Sequence, residues 1–82
     1  MTRLHTASGI FRDMDHAEDA KEYLLGQEEF LDNVIEIDPV APNAAEMLMK
    51  VHADSAREMQ EIMDVLRNYG AVNISTAVTH EA

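Results

Sequence analysis

One pattern occurs twice in this chain and restricts its fold more than any other feature. A capping residue is followed by a short apolar stripe at helical spacing and then a glycine, with strand-like stretches on either side. In the first copy Asp15 and Glu18 have the spacing of a capping box, in which each side chain satisfies a backbone N–H at the helix start. Ala17, Ala20 and Leu24 form the stripe, bordered by Lys21 and Leu25, and Gly26 offers a left-handed residue to end it. In the second copy Ser55 and Glu58 make the box. Ala56, Met59, Ile62, Met63 and Leu66 fall on one face, Glu58, Glu61, Asp64 and Arg67 fall off it, and Gly70 ends the helix.

The remaining segments read as strands. Thr6–Arg12 is β-permissive, and Val34–Asp38 is apolar, partly alternating and closed by Pro39; Pro39–Asn43 is a loop. Glu46–His52 sets Met47, Met49 and Val51 against Leu48, Lys50 and His52. Val72–Val78 sets Val72, Ile74, Thr76 and Val78 against Asn73, Ser75 and Ala77. The order β-α-β-β-α-β is that of the α+β ferredoxin-like split βαβ, one domain over residues 1–82. Right-handed crossovers then give a four-stranded antiparallel sheet of order 4-1-3-2, with both helices on one face.

The alternation assigns Leu48, Lys50, His52, Asn73, Ser75 and Ala77 to the other, uncovered face, with Val34, Glu36 and Asp38 from the second strand. The first strand reads either way, with Ala7, Gly9 and Phe11 or Ser8 and Ile10 pointing inward. Gly9 favours the former, because a glycine lets a helix approach the sheet closely.

Composition narrows the function. Eighty-two residues supply one hydrophobic core, and the chain has no cysteine, which removes disulfides, thiolate zinc sites, iron–sulfur clusters and thiol nucleophiles together. A domain this small without staples leans on tight packing or oligomerisation. Six basic against sixteen acidic residues give a net charge of −10, which repels phosphate backbones and anionic lipid, so neither nucleic acid nor membrane is an expected partner. No apolar run approaches the roughly 20 residues of a membrane span. Met1–Ser8 has no signal-like apolar core, and the expected location is the cytoplasm.

Motifs for chemistry are weak. His5, His16, His52 and His80 are not spaced as a helical ligand pair, and Asp13-x-Asp15 lacks the rest of a calcium loop, so no metal or cofactor is expected. Asp13/Asp15 and Glu28-Glu29 read as solvated charge. There is no glycine-rich phosphate loop, and Ser8, Ser55 and Ser75 have no legible His–Asp arrangement. Met47, Met49, Met59 and Met63 occupy core-facing positions and read as core filling.

The run Ser8-Gly-Ile-Phe-Arg-Asp with Ala17, Ala20 and Leu24 resembles the opening of small bacterial general-stress-protein domains of the heat-induced type. Ala53-Asp-Ser-Ala-Arg-Glu-Met, with Leu66-Arg-Asn-Tyr-Gly-Ala-Val, is similar to the second helix and last strand of such a module. The loop holding Pro39 and Pro42 departs from that pattern. The resemblance implies the same fold and a stress-linked bacterial setting, and carries over no catalytic residues.

The expectation is therefore a non-catalytic, acidic interaction or self-assembly module, stress-related or regulatory. Its partner would be a second copy or a basic protein. The first alternative is a small-ligand- or cation-binding domain using Asp13, Asp15 and His16 beside Asp54 and Ser55 at the two helix starts. The second is a dimeric α/β-barrel enzyme using His52 with Glu36 on the open sheet face. The residues that matter under one or another reading are Asp13, Asp15, His16, Glu36, Lys50, His52 and Ser75.

Overall fold

The computed structural model describes residues 5–27, 30 and 32–78. Strands form where small and β-branched residues alternate, and helices where a cap precedes an apolar stripe. The elements are β1 (His5–Phe11), α1 (Met14–Gly26), a 3₁₀ turn (Asp32–Val34), β2 (Ile35–Pro39), β3 (Met47–Ala53), α2 (Ala56–Asn68) and β4 (Val72–Val78). All strand pairs are antiparallel and the order is β2-β3-β1-β4, the ferredoxin-like arrangement read from its other edge.

The core is one layer of side chains between sheet and helices. Ala17, Ala20 and Leu24 of α1 and Ile62, Val65 and Leu66 of α2 close over Ala7, Phe11, Met49, Val51 and Ala53. Met47, Met59 and Met63 pack against this layer from its margins, and Tyr23 and Tyr69 meet across the helices with ring centroids 5.8 Å apart. Gly9 faces the helices: a Cβ there would stand 3.0 Å from Ala71 Cβ, so the glycine is what allows β4 and α2 to close on β1. Ser55 caps α2 as expected, its Oγ accepting from the Glu58 amide at 3.2 Å, while Glu58 Oε1 reaches one residue beyond the cap and accepts from the Asp54 amide at 2.9 Å. Gly70 ends α2 in the left-handed region at φ 92°.

Several expectations are corrected. The cap of α1 is Asp13, not Asp15: Asp13 has extended backbone, and its side chain accepts from the His16 amide. Gly26 is the last residue of α1 and is not left-handed, and Gln27 caps through its own N–H to the Tyr23 carbonyl. Val34 is buried, because it belongs to the 3₁₀ turn and so escapes the alternation of β2. In α2 Ala56 is exposed, and Val65 joins the core.

The largest departure is in β4. The pairing with β1 shifts between Ser8 and Ile10, so that Ser75 stands opposite Ser8 but Val72 opposite Ile10. Two β4 residues, Asn73 and Ile74, thus oppose Gly9, and Asn73 sits at φ 53°. The bulge turns Val72 onto the open face, 55% exposed, while Ile74 stays against the core. Thr76 and Val78, expected inside, are exposed on this outer strand.

Candidate functional site

The open face of the sheet is built by residues that alternate away from the helices. In register they are Thr6, Ser8 and Ile10 of β1, facing His52, Lys50 and Leu48 of β3 on one side and Ala77, Ser75 and Val72 of β4 on the other. Glu36 and Asp38 of β2 flank Lys50 and Leu48. The face therefore divides along the strands into a polar half and an apolar end made by Ile10, Leu48 and Val72.

The polar half is linked by hydrogen bonds. His52 Nε2 lies 2.6 Å from Glu36 Oε2, and His52 Nδ1 lies 3.1 Å from Thr6 Oγ1. A carboxylate only accepts, so Nε2 carries the hydrogen, and in the neutral ring Nδ1 accepts from the Thr6 hydroxyl. Ser8 Oγ and Ser75 Oγ are 2.9 Å apart. The hydrogen bond from His52 holds the Glu36 carboxyl below its ordinary value, the electrostatic attraction between the two groups adds to this, and Lys50 contributes further. Thr6, Ser8, Lys50, His52, Ser75, Thr76 and Ala77 line a shallow depression of about 270 Å³.

Chemically, this is a carboxylate–imidazole–hydroxyl chain beside an ammonium group. It can orient a proton on His52 and offer hydroxyl donors to a ligand. Of the residues singled out from sequence, Glu36, Lys50, His52 and Ser75 come together here. The sequence alone does not single out Thr6 and leaves Ser8 without a partner, because their roles depend on strand register.

The helix-start residues do not form a cluster. Because β1 and β3 are antiparallel, Phe11 stands beside Met47 and His5 beside Ala53, so α1 and α2 begin at opposite ends of the sheet. Six strand steps of about 3.4 Å put Asp13, Asp15 and His16 roughly 20 Å from Asp54 and Ser55. Asp13 Oδ1 accepts from the His16 amide at 2.9 Å and from His16 Nδ1 at 2.7 Å, a local cap. The amide hydrogen bond first, then the ring, holds the Asp13 carboxyl below its ordinary range. His5, one residue from Thr6, turns to the helix side with Ala53 and does not reach His52's face. Glu28, Glu29 and His80 lie outside the described residues. Among the described residues no three potential metal ligands gather, and no helix is long and apolar enough to cross a membrane.

No family model and no curated protein matches this chain. Among solved structures it is similar to a dimeric ferredoxin-like protein from an uncultured marine organism, at 14% identity and a TM-score of 0.48, over 99% of this chain and 91% of that one. The likeness to general-stress-protein domains rests on its motif residues alone.

Proposed function

We propose that this chain is a non-catalytic assembly domain, in which the edge of β4 left unpaired among the described residues pairs with β4 of a second copy. One observation carries the reading. β4 is an outer strand of seven residues, Val-Asn-Ile-Ser-Thr-Ala-Val, exposed along most of its length and without a charge or a proline. Edge strands are ordinarily guarded by charge, proline or a bulge, because unpaired backbone groups are a template for another strand. The opposite edge, β2, is guarded in that way by Glu36, Asp38 and Pro39. On β4 the bulge at Asn73 protects only the beginning, leaving Ser75–Val78 open. On a chain of net charge −10, an uncharged strip is also where two copies meet with least repulsion. The resemblance to bacterial general-stress-protein domains adds a stress-linked bacterial setting to this reading.

Light scattering after size exclusion, over a concentration series at low and moderate salt, tests it. The wild-type chain is expected to be a dimer that dissociates on dilution. Thr76→Glu, at an exposed position of β4, brings like charges across the seam and gives a monomer. Gln60→Glu, which adds the same charge on the exposed side of α2, leaves the dimer intact. A wild-type monomer at all concentrations, or a Thr76→Glu dimer as tight as wild type, refutes the reading.

A basic partner is the second reading, favoured by a groove of about 320 Å³ between α1 and β2. Met14, Leu25 and Ile37 supply its apolar lining, and Glu18, Glu22 and Asp32 its acidic rim. Lys21 is engaged by Asp32 at 2.8 Å, which leaves Glu18 and Glu22 to meet a partner's cations.

A further inference from the structure

We infer that the open sheet face is a binding site for a small monocarboxylate with an apolar tail, its head held at Lys50, Ser8 and Ser75 and its tail laid on Ile10, Leu48 and Val72. The argument begins with Lys50. It projects from β3, the strand flanked by β1 and β2, and makes no hydrogen bond or ion pair with any described residue. Its acidic neighbour, Glu36, is engaged by His52 at 2.6 Å. Lys21, by contrast, is tied to Asp32 at 2.8 Å.

Lys50 lines the depression with Ser8 and Ser75, whose hydroxyl oxygens are 2.9 Å apart. One hydroxyl hydrogen is used between that pair, and the other remains free to donate to a ligand oxygen. An ammonium and a free hydroxyl hydrogen suit a single negative charge. A dianion would be poorly compensated there, with Glu36 beside Lys50 and a net charge of −10 around it.

The apolar end decides the rest of the ligand. Ile10, Leu48 and Val72 lie two or three residues along their strands from Ser8, Lys50 and Ser75, and Ile10 stands opposite both Leu48 and Val72. Val72 reaches this face only because of the bulge at Asn73, and it remains 55% exposed. Two strand steps separate head and tail by about 7 Å, the reach of a chain of roughly four to six carbons or of one phenyl ring.

The experiment is a titration of the full chain, followed by backbone amide NMR shifts, with butyrate, hexanoate and phenylacetate. Hexanol, hexylamine and inorganic phosphate are the comparison probes. The carboxylates are expected to shift amides of β1, β3 and β4 around Ser8, Lys50 and Ser75, with affinity rising about twofold per added methylene on this half-open face. Lys50→Gln lowers hexanoate affinity about tenfold, as loss of a charge-assisted contact does, and Lys50→Arg retains most of it. Val72→Ser flattens the chain-length series. Equal binding of hexanol or hexylamine, tighter binding of phosphate, or wild-type hexanoate affinity in Lys50→Gln overturns the inference, as does the absence of shifts on this face at millimolar hexanoate. Readings on both sides of the dimer's dissociation keep loss of ligand and loss of assembly distinct.

Discussion

Replacing Gly9 by alanine tests how closely the sheet and helix layers meet. An added Cβ would lie 3.0 Å from Ala71 Cβ, 3.4 Å from Ile74 Cγ1 and 3.6 Å from Leu66 Cδ1. Carbon atoms pack best at about 3.5–4.0 Å. The Ile74 and Leu66 side chains can turn away, but Ala71 Cβ is fixed to its backbone, so the start of β4 must move by about half an ångström to restore that spacing. Overpacking of this kind costs about 1–3 kcal/mol. Alanine recovers about 0.5–1 kcal/mol through the lower entropy of the unfolded chain. The net loss is about 1–2 kcal/mol, against a total stability of roughly 4–12 kcal/mol for a domain of this length. At about 4–8 °C per kcal/mol, the melting temperature falls by roughly 5–15 °C. Urea and thermal unfolding followed by circular dichroism measure both quantities. Ala71→Gly in the same chain removes the obstructing methyl, so the double mutant should recover about 1 kcal/mol relative to the sum of the singles. Gly26→Ala is the control: nothing lies within 4 Å of its would-be Cβ and its backbone is not left-handed, so it should stabilise by about 0.5–1 kcal/mol. If Gly9→Ala is as stable as wild type, or the double mutant is merely additive, the close-approach argument fails.

Two further outcomes are expected. Asp13→Ala removes the cap of α1 and should cost about 1 kcal/mol in urea unfolding, whereas Asp15→Ala should change little; the reverse would move the cap back to Asp15. Stability should also fall in acid. Glu36 and Asp13 are held below their ordinary values of 4.5 and 3.8, so near those values the unfolded chain binds more protons than the folded one. Their contribution is complete above about pH 5, and is lost as pH falls through the ordinary values towards the lower folded ones. Glu36→Gln should therefore give a shallower acid limb in urea midpoints measured from neutral pH downward, and an unchanged limb would show that the His52 contact does not persist in solution.

The candidate site was legible only in part. Glu36, Lys50, His52 and Ser75 could be assigned to one face from alternation, because a strand's period of two is visible within each segment. That His52 bridges Glu36 and Thr6, and that Ser8 meets Ser75, follows from pairing partners up to 67 residues apart in sequence. The proposed gathering of Asp13, Asp15 and His16 with Asp54 and Ser55 failed for a related reason. Both helix starts are acidic, as the sequence indicates, though α1 is capped by Asp13 and not Asp15, and the antiparallel pairing of β1 with β3 sends the two starts to opposite ends of the sheet.

The sequence by itself determined the element order, the buried stripe of Ala17, Ala20 and Leu24, the inward set of β3, the Ser55 cap and the left-handed Gly70. Each depends on neighbours a few residues away, where local sterics and periodicity govern the chain. Only the tertiary structure decided that Val34 turns inward in a 3₁₀ turn, and that the bulge opposite Gly9 sends Val72 outward. The first depends on the contact of the turn with β3, the second on how β4 and α2 fit against β1. A bulge costs little locally, so the packing it permits between distant segments selects it.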